Sequence, residues 1–402
     1  MAAVRVLTIN TGSSSLKAGL YHFSPQARLQ FTAQVDRIGV AGSRLRVTDA
    51  HGTDVLDQTD DLPTHAAAVH ALFTWLHGQG AGQSLDAVGH RVVYGGSRYR
   101  EPHIITPELV EALHGLMTID PDHMPQALDA IQVASHAYPS IPQVVCFDTA
   151  FHRHMPHVAR TYALPRELGD AGLVRYGFHG LSYEFIMQEL QAEDGVAAAG
   201  RVIIAHLGNG ASMAAVQGGV GLDTTMGFTP TGGLMMARRS GDLDPGALLY
   251  LLRSRGLSPA ALSRLVNQDA GLLGVSGLSA DMHALLDKEA TDPQAAEAVE
   301  LFCYQARKFL GALAAVLGGL DTLVFTAGIG EHAASVRERI CAGLGFLGIQ
   351  LDSERNAASA PIISRDGAPV AVRVMKTDED LMIARHTHRL LAAQGGGSHV
   401  SI

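Results

Sequence analysis

Two short segments, one in each half of the chain, constrain the fold more than any other feature. Val6-Leu7-Thr8-Ile9-Asn10-Thr11-Gly12-Ser13-Ser14-Ser15-Leu16-Lys17 is an apolar run that stops at a polar, glycine-centred turn and resumes at Leu16. That pattern predicts strand, tight turn, strand, with the turn open to a ligand. Gly12 permits close approach of the backbone, the three serines offer hydroxyls beside backbone N–H groups, and Lys17 adds a positive charge. A polyphosphate wants donors, charge and no steric bulk. Taken alone, an ordinary Gly/Ser hairpin has the same pattern. The second segment, Val202-Ile203-Ile204-Ala205-His206-Leu207-Gly208-Asn209-Gly210-Ala211-Ser212, repeats the design. Setting Gly12 against Gly208 aligns the flanking apolar runs.

Two such hairpins predict a duplicated domain with a phosphate-binding turn in each copy. That organisation resembles the actin-like, hexokinase-like and Hsp70-like ATPases, and the resemblance implies a duplicated, ribonuclease H-like α/β fold with the ATP cleft between the domains. No G-x-x-x-x-G-K-[ST] occurs, so the chain has no P-loop.

At 402 residues the chain is long enough for two domains with real cores. Hydrophobic content of 47% with 17% charged residues fits a compact soluble protein, and no apolar run reaches membrane-spanning length. The N-terminus enters a strand at once, which predicts no signal peptide. Cys146, Cys303 and Cys341 each lie in an apolar stretch, as expected of reduced core residues in a cytoplasmic protein. The formal charge of −9 argues against nucleic acid as a partner. Lys17, Lys288, Lys308 and Lys376 are the four lysines, so a lysine in a Gly/Ser turn stands out.

Along the chain, β-rich sequence runs to about Val55, followed by a helix over 64–77, a strand over 87–94, a helix over 125–137 and a buried strand over 143–147 that ends at Asp148-Thr149. A domain boundary is expected near Ala150, giving an N-terminal domain 1–150, a nucleotide-binding domain 151–384, and a C-terminal helix 385–402 that rejoins the first. The two domains are expected to close over the substrates about hinges near Ala150 and Ala384. The second half carries a helix from about Ser182, several helices between Pro245 and Leu317, and a buried strand over 322–326. That strand runs into Ala327-Gly328-Ile329-Gly330-Glu331 and a helix with Ser335 and Glu338 at capping-box spacing. Strands alternating with helices imply α/β layers, with ligands at the strand C-termini. The tail over 395–402 is expected to be mobile and without function.

Two tempting signals carry no chemistry. Gly343-Leu344-Gly345-Phe346-Leu347-Gly348 matches G-x-G-x-x-G but follows a helix rather than a strand. His152, His154 and His157 are irregularly spaced in a proline-containing loop and are not expected to bind a metal. Arg91 differs, because a charge in an otherwise apolar strand needs a partner. It is either a structural salt bridge or an anion site. Arg239, in a Gly/Asp loop ahead of a helix, offers a second guanidinium suited to phosphate or carboxylate. His179 sits in Tyr176-Gly177-Phe178-His179-Gly180, exposed and positioned by backbone, as a catalytic histidine would be. Asp148 and Glu379 are the acids best suited to Mg²⁺, which borrows one or two carboxylates and keeps waters.

Together these segments resemble the acetate/propionate kinase family. The resemblance adds Gly89-His90-Arg91-Val92-Val93-Tyr94-Gly95-Gly96, Phe147-Asp148-Thr149-Ala150-Phe151-His152 and Asp223-Thr224-Thr225-Met226-Gly227-Phe228-Thr229-Pro230. It continues through Arg239-Ser240-Gly241-Asp242-Leu243-Asp244-Pro245, Gly274-Val275-Ser276-Gly277-Leu278-Ser279 and Thr377-Asp378-Glu379-Asp380-Leu381. The matches keep their order from near residue 5 to near residue 385. The resemblance implies reversible transfer of a phosphoryl group from ATP to acetate, giving ADP and acetyl phosphate, with Mg²⁺ or Mn²⁺, in a cytoplasmic homodimer. It implies that Asn10 contacts the transferring phosphoryl group and the metal, and that Arg91 and Arg239 hold acetate and the phosphoryl oxygens. His179 would stabilise the equatorial oxygens. Asp148 would orient acetate and, with Glu379, organise the metal. Val93 and Pro230 would line the acyl pocket. His206, Leu207, Gly208, Asn209 and Gly210, then Asp281, Met282 and His283, then Gly328, Ile329, Gly330, Glu331 and His332, would line the nucleotide site, with Lys17 on the polyphosphate.

The chain departs from the family pattern at Ile119, where a histidine is usual, with His123 one helical turn on. His283 replaces an arginine and His332 an asparagine. Thr231-Gly232-Gly233 replaces Leu-Glu-Gly, and Ala237 a glycine. Propionate or butyrate kinase is the alternative within the enzyme class. An actin-like filament or chaperone module is the alternative outside it, and such a module has no need of Arg91, Arg239 and His179 around a small acid.

Overall fold

The computed structural model describes residues 3–80, 85–120 and 123–396. Pro121 and Asp122, ahead of His123, and the tail over 397–402 lie outside the described residues. The chain divides into two compact units, the first made of Met1–Ala150 and Asp378–Ile402, the second of Phe151–Thr377. The return to the first unit falls at Asp378, before the expected 385, because a helix over Glu379–Gly396 already packs on the first unit's sheet.

The first unit holds β1 (Val4–Thr11), β2 (Ser15–Phe23), β3 (Ala27–Asp36), β4 (Ser43–Asp49), β5 (Asp54–Asp60), β6 (Ala87–Val92), β7 (His103–Ile104) and β8 (Gln143–Phe147) in one sheet, ordered β5-β4-β3-β2-β1-β6-β8-β7. The second holds β9 (Arg201–Leu207), β10 (Ala211–Gln217), β11 (Val220–Thr224), β12 (Thr322–Thr326) and β13 (Ala371–Val374), ordered β11-β10-β9-β12-β13. The second sheet repeats the β3-β2-β1-β6-β8 core of the first. In both, two antiparallel steps are followed by two parallel ones. Parallel neighbours need crossover connections, which helices supply. The fold is thus a mixed α/β architecture of two like units.

The sequence sets these elements by burial. β8 and β12 are buried at every residue, as continuous apolar runs in the middle of α/β layers should be. The helix His65–Gly78 starts at Thr64, whose side chain accepts from the Ala67 N–H, and turns Ala68, Val69, Leu72, Phe73 and Leu76 inward. That stripe shares a core with Leu7, Ile9 and Leu16 of the first hairpin and with Ala130, Val133 and Ala134 of the helix Met124–Ala137. On the other face, a Cβ added at Gly89 would collide with Thr387 and Ile383, so bare backbone is what lets the C-terminal helix lie on β6.

The capping box does not form. The helix Ala334–Cys341 starts after Ala333, which has no side chain to cap with, and Ser335 falls inside the first turn. The glycine-rich 343–348 stretch follows that helix and contains a 3₁₀ turn, Gly345–Leu347. All three cysteines are buried free thiols, and burial pushes Cys303 and Cys341 up to about 12. Among the described residues no helix is long and apolar enough to cross a membrane.

Candidate active site

In the first unit, strand ends gather one set of polar groups. Asn10 lies near the end of β1, directly opposite Lys17 of β2, so the two share a face of the sheet. Arg91, in β6, donates from Nε to both oxygens of Asp148 at 3.0 and 3.2 Å and from Nη2 to Oδ2 at 2.6 Å. Its Nη1 donates to Asn10 Oδ1 at 3.2 Å, and Asn10 Nδ2 donates to Glu379 Oε2 at 3.3 Å. The Asp148 side chain is 1% exposed and that of Arg91 is 15% exposed. Burial works against the Arg91 charge, but Asp148 and Glu379 outweigh it and raise its pKa above the ordinary value. Arg91 is therefore both a buried ion pair and a fixed cation with an exposed edge.

Asp380 was not singled out from sequence. Burial, with the Asp378 and Glu379 charges, pushes its carboxyl up to about 7 against the pull of Lys17 and Arg91. Its Oδ1 is buried with no hydrogen-bond partner. The only advance signal was the run Asp378-Glu379-Asp380. The glycine turn is closed by Gly12 N–H to the Ser15 carbonyl at 2.8 Å, and His65 Nε2 donates to the Gly12 carbonyl at 2.8 Å. Ser13 and Ser14 remain exposed, and Val93 is 5% exposed just beyond β6.

In the second unit, the β9–β10 hairpin closes with Gly208 N–H to the Gly210 carbonyl at 3.0 Å, and His206 pairs across the ladder with Ser212. His179 immediately precedes the helix Gly180–Glu193 with a left-handed φ of 58°. The chain reaches it through Gly177 (φ 76°), where a Cβ would meet His152 and Thr224 at 2.6 Å. His152 Nε2 donates to the Phe178 carbonyl at 3.0 Å and fixes the peptide ahead of His179. The His179 ring stacks on His206 with centroids 4.2 Å apart. His179 Nδ1 pairs with Ser212 Oγ at 2.8 Å, and Ser212 also bonds the Tyr183 hydroxyl. His206 Nδ1 pairs with Ser182 Oγ at 2.8 Å, which accepts from Thr377 Oγ1 at 2.8 Å.

Arg239 Nη1 donates to the Pro230 carbonyl at 3.2 Å. A Cβ built on Gly210 would lie 3.0 Å from His179 Nε2 and 3.7 Å from Arg239 Nη1. The turn backbone, the imidazole and the guanidinium thus converge on one small space that glycine leaves open.

The remaining nucleotide candidates divide by exposure. Gly208 lies against Ala327, which takes a strained left-handed φ of 65° at the start of the helix Ala327–His332. Glu331 Oε1 accepts from the N–H groups of Ala327 at 2.9 Å and Thr377 at 3.3 Å, so this carboxylate holds its own loop. The fully buried Arg337 donates to the Gly330 and Glu331 carbonyls at 2.9 and 3.0 Å. Gly328, Asn209 and His332 are exposed, Ile329 is half-buried, and Gly330 and Leu207 are buried. Asp281 caps the helix Met282–Lys288 by accepting the His283 N–H at 3.0 Å. Met282 is 3% exposed and belongs to the core. The His283 side chain is 84% exposed and pairs with Asp287 at 3.2 Å. His123 pairs with Asp120 at 2.9 Å, and Asp120 also raises the pKa of Arg91. Among the described residues no group of three or more His, Cys, Asp or Glu could hold a metal by itself.

A sequence model described as the Acetokinase family matches residues 5–385. An acetate kinase of Rhodopseudomonas palustris is 45% identical over 397 residues, covering 97% of this chain and 99% of that one. The crystal structure of Porphyromonas gingivalis acetate kinase superposes with a TM-score of 0.86 at 38% identity, covering 96% of this chain and all of the other. A propionate kinase from Francisella tularensis superposes with a TM-score of 0.90 at 32% identity, over 96% and 99% of the two chains. With a match of this length in sequence, and both units alike in structure, the chain belongs to the Acetokinase family.

Proposed function

We propose that this chain transfers the γ-phosphoryl group of ATP reversibly to acetate. An acetate oxygen attacks the γ-phosphorus in line as the bond to the bridging oxygen breaks, and that electron pair leaves on ADP. No covalent enzyme intermediate forms. The observation that carries the reading is the space at Gly210, bordered by His179 Nε2 and Arg239 Nη1. Phosphoryl transfer is catalysed by positioning and by neutralising charge on the equatorial oxygens, and an imidazole and a guanidinium beside bare backbone supply both.

The other residues follow from their chemistry. Arg91, held by Asp148, binds the acid carboxylate with its exposed edge. Asp148 gives both oxygens to Arg91, so it acts by orienting that guanidinium and through it the acid. Asn10 and Lys17 meet the phosphates, Val93 and Pro230 the methyl end of the acid. The backbones of 208–210 and 327–330 serve the nucleotide. Mg²⁺ (or Mn²⁺) fits the first unit's acids: Glu379 and the unpartnered buried Oδ1 of Asp380 would hold it, with Asn10 alongside. When bound it neutralises phosphate charge. We also assign the chain to the cytoplasm as a homodimer.

Trapping the acyl phosphate with hydroxylamine tests the reading. With ATP and Mg²⁺, acetate should give acetyl hydroxamate with a higher kcat/KM than propionate or butyrate. A preference for propionate would move the assignment to the acid of the Francisella tularensis relative. No hydroxamate with any of the three acids would reject it. Light scattering at micromolar protein should return twice the 42.4 kDa chain mass.

A further inference from the structure

His179 carries its function only if the nitrogen facing Gly210 bears a proton, and the second unit contains a device that decides this. We propose that Tyr183 and Ser212 are positioning residues that fix neutral His179 as the Nε2–H tautomer, through a relay running Tyr183 O–H to Ser212 Oγ and Ser212 O–H to His179 Nδ1. The role of His179 rests on the function proposed above; the tautomer itself does not.

The Ser212 hydroxyl is fully buried between two partners, His179 Nδ1 at 2.8 Å and the Tyr183 hydroxyl. It has one proton to give. If Tyr183 donates to Ser212, that proton goes to Nδ1, which is then an acceptor, and the ring proton sits on Nε2. A phenol is far more acidic than an alcohol and is the better donor of the two, which sets this direction. The alternative, Nδ1–H donating to Ser212, would turn a lone pair on Nε2 toward the space it shares with Arg239. Phosphoryl oxygens would be repelled there.

A second relay in the same unit has the same form. Thr377 Oγ1 donates to Ser182 Oγ at 2.8 Å, which leaves the Ser182 proton for His206 Nδ1 at 2.8 Å. The two imidazoles stack at 4.2 Å, so each ring is held at Nδ1 by a serine that accepts from a further hydroxyl. Position is already fixed from another side by His152 and Gly177. The hydroxyl chain adds control of the proton, which packing alone cannot give.

Nitrogen-15 NMR of histidine-labelled protein reads the tautomer directly, with the His179 signal assigned by its loss in His179→Gln. In the unliganded wild type above pH 7.5, Nδ1 should carry the shift of an unprotonated, hydrogen-bonded nitrogen and Nε2 that of an N–H. Tyr183→Phe and Ser212→Ala, each checked for folding by circular dichroism, should move both shifts toward the average of mixed tautomers. In the hydroxamate assay kcat should fall about tenfold or more in both, with KM for ATP and acid within about twofold. An Nδ1–H signal in the wild type, or unchanged His179 shifts in either folded variant, would overturn the relay. Displaced shifts in a protein whose wild type makes no acyl phosphate would keep the relay and remove the kinase reading.

Discussion

The two glycine hairpins share a frame and differ in what they present. In the first, Thr11 pairs with Leu16, leaving Gly12-Ser13-Ser14-Ser15 as the turn; in the second, Leu207 pairs with Ala211, leaving only Gly208-Asn209-Gly210. The longer turn displays serine hydroxyls. The shorter one displays backbone. Just behind the turns, the cross-strand pair is Asn10–Lys17 in one hairpin and His206–Ser212 in the other. A Cβ at Gly12 would meet only Ser15, whereas one at Gly210 would press on His179 and Arg239. Duplication therefore supplied the sheet twice, while loop length and one ladder position gave the copies different chemistry. The first unit holds fixed charge around Arg91 and Asp148, and the second brings an imidazole and a guanidinium to a bare turn.

The largest effect that separates the units comes from their two arginines. Arg239→Ala should lower kcat by roughly 10³–10⁵, the range for a guanidinium that neutralises a transferring phosphoryl group. Thermal stability should move little, since the Arg239 side chain is only half-buried and its bond to the Pro230 carbonyl is to a neutral acceptor. Arg91→Ala should do the reverse to stability. It leaves Asp148 charged and buried, which costs about 3–5 kcal/mol, and it should also raise the acid KM. Equal losses of stability in the two variants, or a kcat near wild type for folded Arg239→Ala, would erase the distinction.

A matched pair of glycine substitutions comes next. Gly210→Ala puts a methyl 3.0 Å from His179 Nε2, so the ring must give way slightly, and kcat should fall by up to the roughly 10²-fold that a 1 Å misplacement can cost. Gly12→Ala meets Ser15 Oγ at 2.8 Å, and that hydroxyl can rotate away, so activity should fall less than about threefold. Steady-state kinetics on both variants decides. If Gly12→Ala is the more damaging, the first turn lies closer to the chemistry than the second.

Much of the scaffold was legible in sequence because it depends on local pattern. The two hairpins, the buried runs of β8 and β12 and the Thr64-capped helix follow from apolar periodicity and turn residues. Arg91 announced a partner by being a charge in an apolar strand. What stayed hidden depends on contacts between distant residues. Nothing local ties Tyr183 to Ser212, or leaves Asp380 Oδ1 unpartnered beside Glu379. Ser335 and Glu338 had capping-box spacing, but the preceding turn starts the helix at Ala334, so spacing alone misled. Family position suggested that Leu207, Met282 and Glu331 line the nucleotide site. The first two side chains are packed in the core, and the third is held by two backbone N–H groups.

A third contrast concerns acid. In β6 the residue opposite Ile9 is His90, and in β12 the residue opposite Ala205 is Phe325, the corresponding position of the second sheet. His90 is buried with Nε2 on Gln143 Oε1 at 2.7 Å, and burial pushes its pKa down to about 4. The unfolded chain takes up this proton near pH 6.5, so the unfolded state binds more protons between about 4 and 6.5. Stability from the neutral ring is complete above pH 6.5 and is lost as pH falls toward 4. Going from pH 7 to pH 5, amide protection in β6 and β8 should drop about tenfold more than in β12. Hydrogen exchange corrected for intrinsic rates checks this, and a uniform drop across all three strands would deny His90 the role.

The smallest effect separates the second hairpin's backbone from the exposed side chains beyond it as binders of nucleotide. His283 stands where the family pattern has an arginine, but its ring is 84% exposed and already paired with Asp287, itself 66% exposed. Such a pair contributes about 0–1 kcal/mol, and a ring so placed gives little to a phosphate that backbone N–H groups can already hold. Its own N–H is given to Asp281. His283→Ala should therefore change the ATP KM by less than about threefold, and leave kcat and the acid KM alone. Asp281→Ala removes the cap of the helix Met282–Lys288 and should cost about 1 kcal/mol of stability, with an ATP effect at least as large as that of His283→Ala. If His283→Ala instead raises the ATP KM tenfold while Asp281→Ala does not, nucleotide affinity in this chain comes from the imidazole. The short turn would then be a site for the transferring phosphoryl group rather than for the nucleotide as a whole.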